Sequence, residues 1–271
     1  MLKLMLITND VDLASHAFDS GVARIFVDLE INGKYERQGH LDTLISKHSF
    51  EDISAIREAV PHCELIVRIN PFYPKTNDEI EEVIKRGADY IMLPMFTSAE
   101  EISNVCTMIG GRVKFIPLIE TSLALENLEL YISEPGVSEI YLGLNDLHLD
   151  MGMKFMFEPL KDGLVDRVAL LAKQHKKNFG FGGIARLGEG MLPADVILGE
   201  HERLNSNAVI LSRTFHRRSE SLDDITSFMC LHEEIDKIVN HFKALSKRTE
   251  IQRQEDAMIL RKKIEKIVRG L

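Results

Sequence analysis

Eight short runs of aliphatic and β-branched residues punctuate the chain, at 2–7, 24–29, 65–69, 90–93, 113–119, 139–144, 178–182 and 208–212. Each is nearly continuous in apolar character rather than alternating, as expected of a strand covered on both faces in a parallel sheet. Amphipathic stretches between them predict helices at 50–60, 78–86, 98–108, 125–133, 163–176 and 195–204. The helix ends carry recognisable signals. One stretch stops before Pro61 and the next at Gly87, residues that break a helix or close its last turn. Ser98 followed three residues later by Glu101 is a capping-box pair. Strands alternating with helices in this way predict the α/β class and a closed (β/α)8 barrel, the TIM barrel. An open doubly wound sheet is the alternative arrangement of the same elements.

A chain of 271 residues accommodates one such barrel, which needs about 250. The barrel is expected to occupy 1–220, with C-terminal helices over 221–271 packing on the barrel or a neighbouring subunit. That last segment is charged and becomes basic, with nine Lys or Arg against four Asp or Glu between 243 and 269. Ile251, Met258, Ile259 and Ile264 suit one helical face there. The helix is therefore either a solvated surface element or an arm in a homo-oligomer, a trimer or hexamer. Two connections exceed the usual length, 32–49 after strand two and 148–162 after strand six. Both leave the C-terminal end of a strand, where barrel active sites are built.

Charge and composition narrow the partners. A formal net charge of -9 argues against nucleic acid or an anionic membrane as the main partner. It admits an anionic small molecule, because a bound cation and an arginine reverse the local sign. Cys63, Cys106 and Cys230 lack metal-ligand spacing and read as reduced thiols of a cytoplasmic protein. The opening run is short, without a basic lead or a cleavage site, and reads as a buried strand rather than a signal segment. No later run is long enough to span a bilayer.

The strand ends carry the chemistry. Strand two ends in Asp28-Leu29-Glu30, strand three in Arg68-Ile69-Asn70, strand five in Glu120-Thr121 and strand six in Gly143-Leu144-Asn145-Asp146. In a parallel barrel all of these meet at one mouth. Packing gains nothing from four crowded carboxylates, which repel one another. A hard divalent cation such as Mg2+ or Mn2+ resolves the conflict, since it prefers oxygen ligands. Glu120 and Asp146 close neighbouring strands and are the expected metal ligands, with Asp28 and Glu30 holding metal-bound waters behind them. Arg68, at the end of an apolar strand, is either a structural ion-pair partner or a fixed donor to a developing enolate oxygen or a carboxylate.

The stretch Phe115-Ile-Pro-Leu-Ile-Glu-Thr-Ser-Leu-Ala-Leu-Glu-Asn-Leu128 resembles the metal-binding fifth strand of the HpcH/HpaI aldolase and citrate lyase beta-subunit family. Gly143-Leu-Asn-Asp-Leu-His-Leu-Asp-Met-Gly152 is similar to that family's sixth-strand loop, and the spacing of Glu120 and Asp146 agrees. Weaker echoes are Phe26-Val-Asp-Leu-Glu30, Val67-Arg-Ile-Asn70 and Gly87-Ala-Asp-Tyr-Ile-Met-Leu-Pro94. The resemblance covers roughly residues 20–155. It implies a (β/α)8 barrel that uses Mg2+ or a similar ion to stabilise the enolate of a 2-oxo acid, pyruvate-like, or of an acyl thioester. It implies Glu120 and Asp146 as metal ligands and Arg68 as the enolate-stabilising group, with Asp28 and Glu30 beside it. It also implies a substrate site at Asn70, Gly143, Leu144, Asn145 and His148, with the backbone N–H groups of Leu144, Asn145 and Asp146 on a carboxylate.

The chain also departs from the family. The pyruvate aldolases carry a histidine where this chain has Ile31, and pair it with an acid where this chain has Lys85. The citrate-lyase-like branch has a second aspartate at the Ile31 position, followed by a lysine and an arginine; Lys34 and Arg37 are on offer here. The general base is left open among His40, His148, Glu30 and a hydroxide on the cation.

Two further features allow other readings. Phe179-Gly-Phe-Gly-Gly-Ile-Ala-Arg186 is glycine-rich, and Gly182, Gly183, Arg186 and Arg213 could form a phosphate site of a phosphate-ester barrel enzyme. The missing dyad also admits a catalytically silent barrel that binds a metabolite. Met151, Met153, Phe155, Met156 and Phe157 read as packing or an oligomer contact.

Overall fold

A computed structural model of the chain describes residues 2–32, 48–219 and 221–271. The apolar runs become β1 (Lys3–Ile7), β2 (Arg24–Asp28), β3 (Glu64–Arg68), β4 (Tyr90–Leu93), β5 (Lys114–Ile119), β6 (Glu139–Leu142), β7 (Asn178–Ile184) and β8 (Ala208–Leu211). All pair in parallel and in sequence order, and β8 returns to β1, with Lys3 opposite Ala208 and Leu6 opposite Leu211. The sheet is thus a closed barrel rather than the open alternative.

The outer layer comprises α1 (Val11–Asp19), α2 (Phe50–Ala59), α3 (Thr76–Lys85), α4 (Ala99–Ile109), α5 (Ser122–Glu126), α6 (Leu128–Tyr131), α7 (Leu144–Asp150), α8 (Glu158–Lys161), α9 (Leu164–Gln174) and α10 (Ala194–Arg203). The hydroxyl of Ser98 accepts the N–H of Glu101 at the start of α4, as the capping-box pattern predicts. The sequence reading named no helix between β1 and β2; α1 forms there, capped by Asp10, whose Oδ1 accepts the Leu13 N–H at 2.6 Å. The helix expected at 125–133 is two short ones that meet at Asn127, whose side-chain amide donates to the Thr97 carbonyl.

The C-terminal segment folds as α11 (Leu222–Thr226), α12 (Leu231–Leu245) and α13 (Glu250–Gly270). α12 packs on α1 and α10, and α13 on α8 and α10, so both lie on this chain's own barrel. The face that α13 buries is Ala257, Leu260 and Ile264. Of the four expected positions only Ile264 is covered; Ile251, Met258 and Ile259 are exposed. The small Ala257 lets the helix approach the barrel, and Arg253 fixes its rotation by a two-pronged pair with Glu202 at 2.7 Å.

Side chains alternate along each strand, so every second residue enters the barrel. The middle of the interior is apolar: Met5, Phe26, Ile66, Tyr90, Met92, Ile116, Leu118, Tyr141 and Ala208 form one cluster. Two residues earlier on β2 and β6, Arg24 and Glu139 meet across the interior, each with 1% of its side chain exposed. Arg24 Nη1 and Nη2 donate to the two Glu139 oxygens at 2.7 and 2.8 Å, and Nε donates to Glu64 at 2.7 Å. The Tyr90 ring lies 4.6 Å from the guanidinium, and Lys3 pairs with Glu64 at the rim. Burial works against the Arg24 charge, but Glu139 and Glu64 together outweigh it and hold the pKa above the usual arginine value.

Arg24→Met leaves Glu139 charged and unpartnered inside the barrel, and should cost about 3–5 kcal/mol in urea unfolding. Pairing it with Glu139→Met should recover much of that loss; a double variant as unstable as the single one would contradict this role. His201 is fully buried in α10, stacked 3.8 Å from the Phe181 ring, with Nδ1 on Ser206 Oγ and no partner at Nε2. Burial drops its pKa from 6.5 to about 3. The unfolded chain therefore binds the proton first. Stability from the neutral ring is complete above pH 6.5 and is lost toward pH 3, at about 1.4 kcal/mol per pH unit. Unfolding free energies at pH 7 and pH 5 should show this slope in the wild type and lack it in His201→Phe.

Candidate active site

The alternation that buries Arg24 and Phe26 on β2 brings Asp28 to the opposite end of the interior, and on β3 it does the same for Arg68. Adjacent register, Asp28 beside Arg68, lets them join. Arg68 donates from Nε and Nη2 to the two oxygens of Asp28, both at 2.8 Å. Nη2 also lies 3.3 Å from Glu30 Oε2. Both acids are buried, while the Arg68 side chain keeps 14% of its surface exposed. Burial alone would weaken the guanidinium charge; Asp28 first and Glu30 next reverse that and hold its pKa well above the arginine norm. The structural and functional roles expected of Arg68 are compatible. One edge of its fork is fixed by carboxylates, and among the described residues Nη1 carries no hydrogen bond.

Glu120 follows β5 and is buried. Its Oε1 accepts the Met95 N–H at 3.2 Å, and Met95 itself has a left-handed backbone, φ 53°. Its Oε2 lies against Gly143: a Cβ built there would stand 2.6 Å from that oxygen. Any side chain at position 143 would push the carboxylate aside. Gly143 is also tied to the end of β5 through its N–H on the Ile119 carbonyl at 2.9 Å. It leads directly into α7, so Leu144, Asn145 and Asp146 form the first turn of that helix, where N–H groups have no partner within the helix. Asp150, at the other end of α7, accepts the Ser122 N–H at 2.6 Å and locks the loops after β5 and β6 together. Glu120 thus lies against Gly143, and Asp146 follows three residues later in the first turn of α7. Among the described residues no three His, Cys, Asp or Glu side chains gather as a metal cluster by themselves.

Asn70 has both ends of its amide engaged. Its Oδ1 accepts the N–H groups of Ile31 and Asn32 at 2.9 and 3.0 Å, while Nδ2 and the backbone N–H donate to Glu79 Oε1 at 2.8 and 3.1 Å. It thus pins the loop that carries Glu30. Burial raises the Glu79 carboxyl above its usual range, against the pull of Asn70. His148 is buried, and its Nδ1 faces the Asn145 carbonyl. A carbonyl only accepts, so a hydrogen bond there requires the proton on Nδ1. His48, which the sequence reading did not single out, accepts the Asp28 N–H through Nδ1 at 2.9 Å. Glu79, Met95 and His48 had no visible signal, because their roles depend on contacts between separate strands and loops.

Ile31 is exposed and Lys85 lies on the last turn of α3, with 79% of its side chain in solvent beside Glu82. Lys34, Arg37 and His40 fall outside the described residues. The glycine-rich β7 has packing reasons for its composition. Gly182 takes a left-handed backbone at a register shift in the ladder to β8, and its carbonyl accepts the Tyr141 hydroxyl at 2.7 Å. Arg186 is buried and closes on Glu189 through Nε and Nη2, with contacts of 2.9–3.1 Å. A phosphate would have to compete with that carboxylate for the fork.

Solved structures of similar fold extend over most of the chain. An HpcH/HpaI aldolase from Desulfitobacterium hafniense DCB-2 is 13% identical with a TM-score of 0.61, covering 92% of this chain and 94% of that one. The citrate synthase SbnG is 16% identical with a TM-score of 0.61, over 80% of this chain and 89% of its own. RipC from Yersinia pestis is 15% identical with a TM-score of 0.57, over 93% and 98%. At such identities the likeness speaks for the barrel. No curated protein matches the chain significantly. The sequence model of the HpcH/HpaI aldolase/citrate lyase family matches residues 4–158, a span that holds Asp28, Arg68, Glu120 and Asp146. This protein belongs to the HpcH/HpaI aldolase/citrate lyase family.

Proposed function

We propose that the protein is a divalent-metal-dependent carbon–carbon lyase that works through the enolate of a 2-oxo acid, pyruvate-like, or of an acyl thioester. The placement of Glu120 supports this reading most strongly. A buried carboxylate reaches the barrel mouth with one oxygen on a backbone N–H and the other in the space left by Gly143. It stands beside the turn that carries Asp146. The donors are carboxylate oxygens, a set that suits Mg2+ or Mn2+, which commonly take few protein ligands and keep positions for water and substrate.

Glu120 and Asp146 would hold the cation, which when bound supplies Lewis-acid stabilisation of a developing oxyanion. The residues of the chain do the rest. First-turn N–H groups of α7 at Leu144, Asn145 and Asp146 orient the substrate carboxylate. Arg68 directs its Nη1 edge toward the oxygen that becomes negative as the carbon–carbon bond breaks. Its charge and orientation are fixed beforehand by Asp28 and Glu30, so no reorganisation is needed at that moment. The apolar cluster around Phe26, Met92 and Leu118 closes the floor beneath them and keeps water from the reacting atoms. Proton transfer falls to groups at the same mouth, Glu30 or His148 Nε2.

Titration with Mn2+, with and without oxalate, together with deuterium exchange at C3 of pyruvate, tests the reading. Glu120→Gln and Asp146→Asn should abolish the metal-dependent exchange while the melting temperature holds; wild-type exchange in either would refute the assignment. Gly143→Ala displaces Glu120 with its charge intact and should weaken Mn2+ binding by about ten-fold or more, roughly 1.4 kcal/mol. Arg68→Lys keeps the charge but loses the fork. Turnover should fall on the order of 10²-fold with little change in Mn2+ affinity; equal losses in both would make Arg68 structural only.

A further inference from the structure

Glu79 is a buried acid that the chemistry above does not use. It stands in the first turn of α3, with 4% of its surface exposed. Its Oε1 accepts both the backbone N–H and the side-chain amide of Asn70. Its Oε2 is shut from water without a hydrogen-bond partner among the described residues. Tyr73 stands near enough for its phenol pKa to be raised, by burial first and by Glu79 next. A carboxylate withdrawn from water and held by amide N–H groups rather than by a cation destabilises the fold, and packing gives no reason for it. The turn that presents it is itself fixed. The buried Thr76 hydroxyl accepts the Tyr73 N–H at 2.8 Å, and the Glu79 N–H reaches the Lys75 carbonyl at 3.1 Å.

Asn70 carries that anchor onward. The N–H groups of Ile31 and Asn32 converge on its Oδ1 at 2.9 and 3.0 Å, while Nδ2 faces the Glu79 carboxylate at 2.8 Å. Donors on one side and an anion on the other leave one orientation for the amide. The charge-assisted bond at Nδ2 also strengthens the acceptor at Oδ1, since hydrogen bonds in series polarise one another. The loop so held follows directly on Glu30. The Glu30 N–H lies on Asp28 Oδ1 at 3.2 Å, and its Oε2 meets Arg68 Nη2 at 3.3 Å. Any shift of residues 31 and 32 therefore moves the acid that stands against the Arg68 fork. Resting on the lyase reading, we propose that Asn70 and Glu79 are positioning residues. They act as one unit through this loop to set Glu30 and Arg68, and the Asn70 amide serves the loop rather than the substrate.

Metal-dependent deuterium exchange at C3 of pyruvate, resolved into kcat and KM in the full-length protein, tests this alongside Mn2+ titration and melting temperature. Asn70→Ala and Glu79→Ala should each lower kcat on the order of 10²-fold, as when a reacting group is displaced by about 1 Å. KM and the Mn2+ Kd should stay within about two-fold. The double alanine variant should be no slower than either single one, because both substitutions release the same loop. Losses that multiply in the double variant overturn the proposal of one unit. A rise in KM confined to Asn70→Ala overturns it too, since Asn70 would then hold the substrate. Lower melting temperatures with kcat unchanged would make both residues structural only. Should the alanine variants fail to fold, an isosteric pair decides. Asn70→Asp sets a second carboxylate against Glu79 and should lower kcat about ten-fold or more. Adding Glu79→Gln removes that repulsion and should restore part of the loss; no recovery overturns the proposal. A wild type without metal-dependent exchange overturns the lyase reading itself.

Discussion

Closure of the parallel sheet, β8 registered against β1 from Lys3 and Ala208 to Leu6 and Leu211, is the constraint on which the site depends. Once the eight strands share one interior, strand alternation forces their inward residues into common levels. Asp28 and Arg68 then face one space with Glu120, although up to 92 positions separate them in the chain. An open sheet of the same strands would spread these groups along an edge. The apolar level beneath them, from Met5 to Ala208, gives the charged groups a dry floor. In those surroundings a fixed guanidinium and carboxylate interact far more strongly than in water.

The mouth is organised as a supported structure, with acids and amides holding one another before any ligand arrives. Asp28 and Glu30 fix Arg68, Asn70 fixes the loop bearing Glu30, and Glu79 fixes Asn70. On the other side Gly143 makes room for Glu120, and Asp150 ties the two loops that flank it. Such preorganisation lets charge develop on a substrate oxygen without the surrounding dipoles having to turn.

Much of this was legible in the sequence, and for identifiable reasons. Strands buried on both faces show up as unbroken apolar runs, so all eight were found to within two residues at either end. Acids and an arginine directly after such runs stand out, because nothing in packing calls for them. What the sequence hid depends on pairing between elements. Glu79 looks like any acid in the first turn of a helix, His48 like a loop residue, and the Met95 N–H has no side-chain signature at all. The short α1 was hidden because Ser15, His16 and Asp19 dilute its pattern directly after the polar turn 8–10. In α13 three of the four large apolar residues that suggested a face are exposed, and the covered face is Ala257, Leu260 and Ile264.

The ionic plug formed by Arg24 and Glu139 has a kinetic meaning beyond stability. It closes the end of the barrel remote from Asp28 and Arg68, and among the described residues packed apolar side chains fill the interior above it. Under the lyase reading proposed above, the parent molecule and its fragments would share the end of the barrel that holds Asp28 and Arg68.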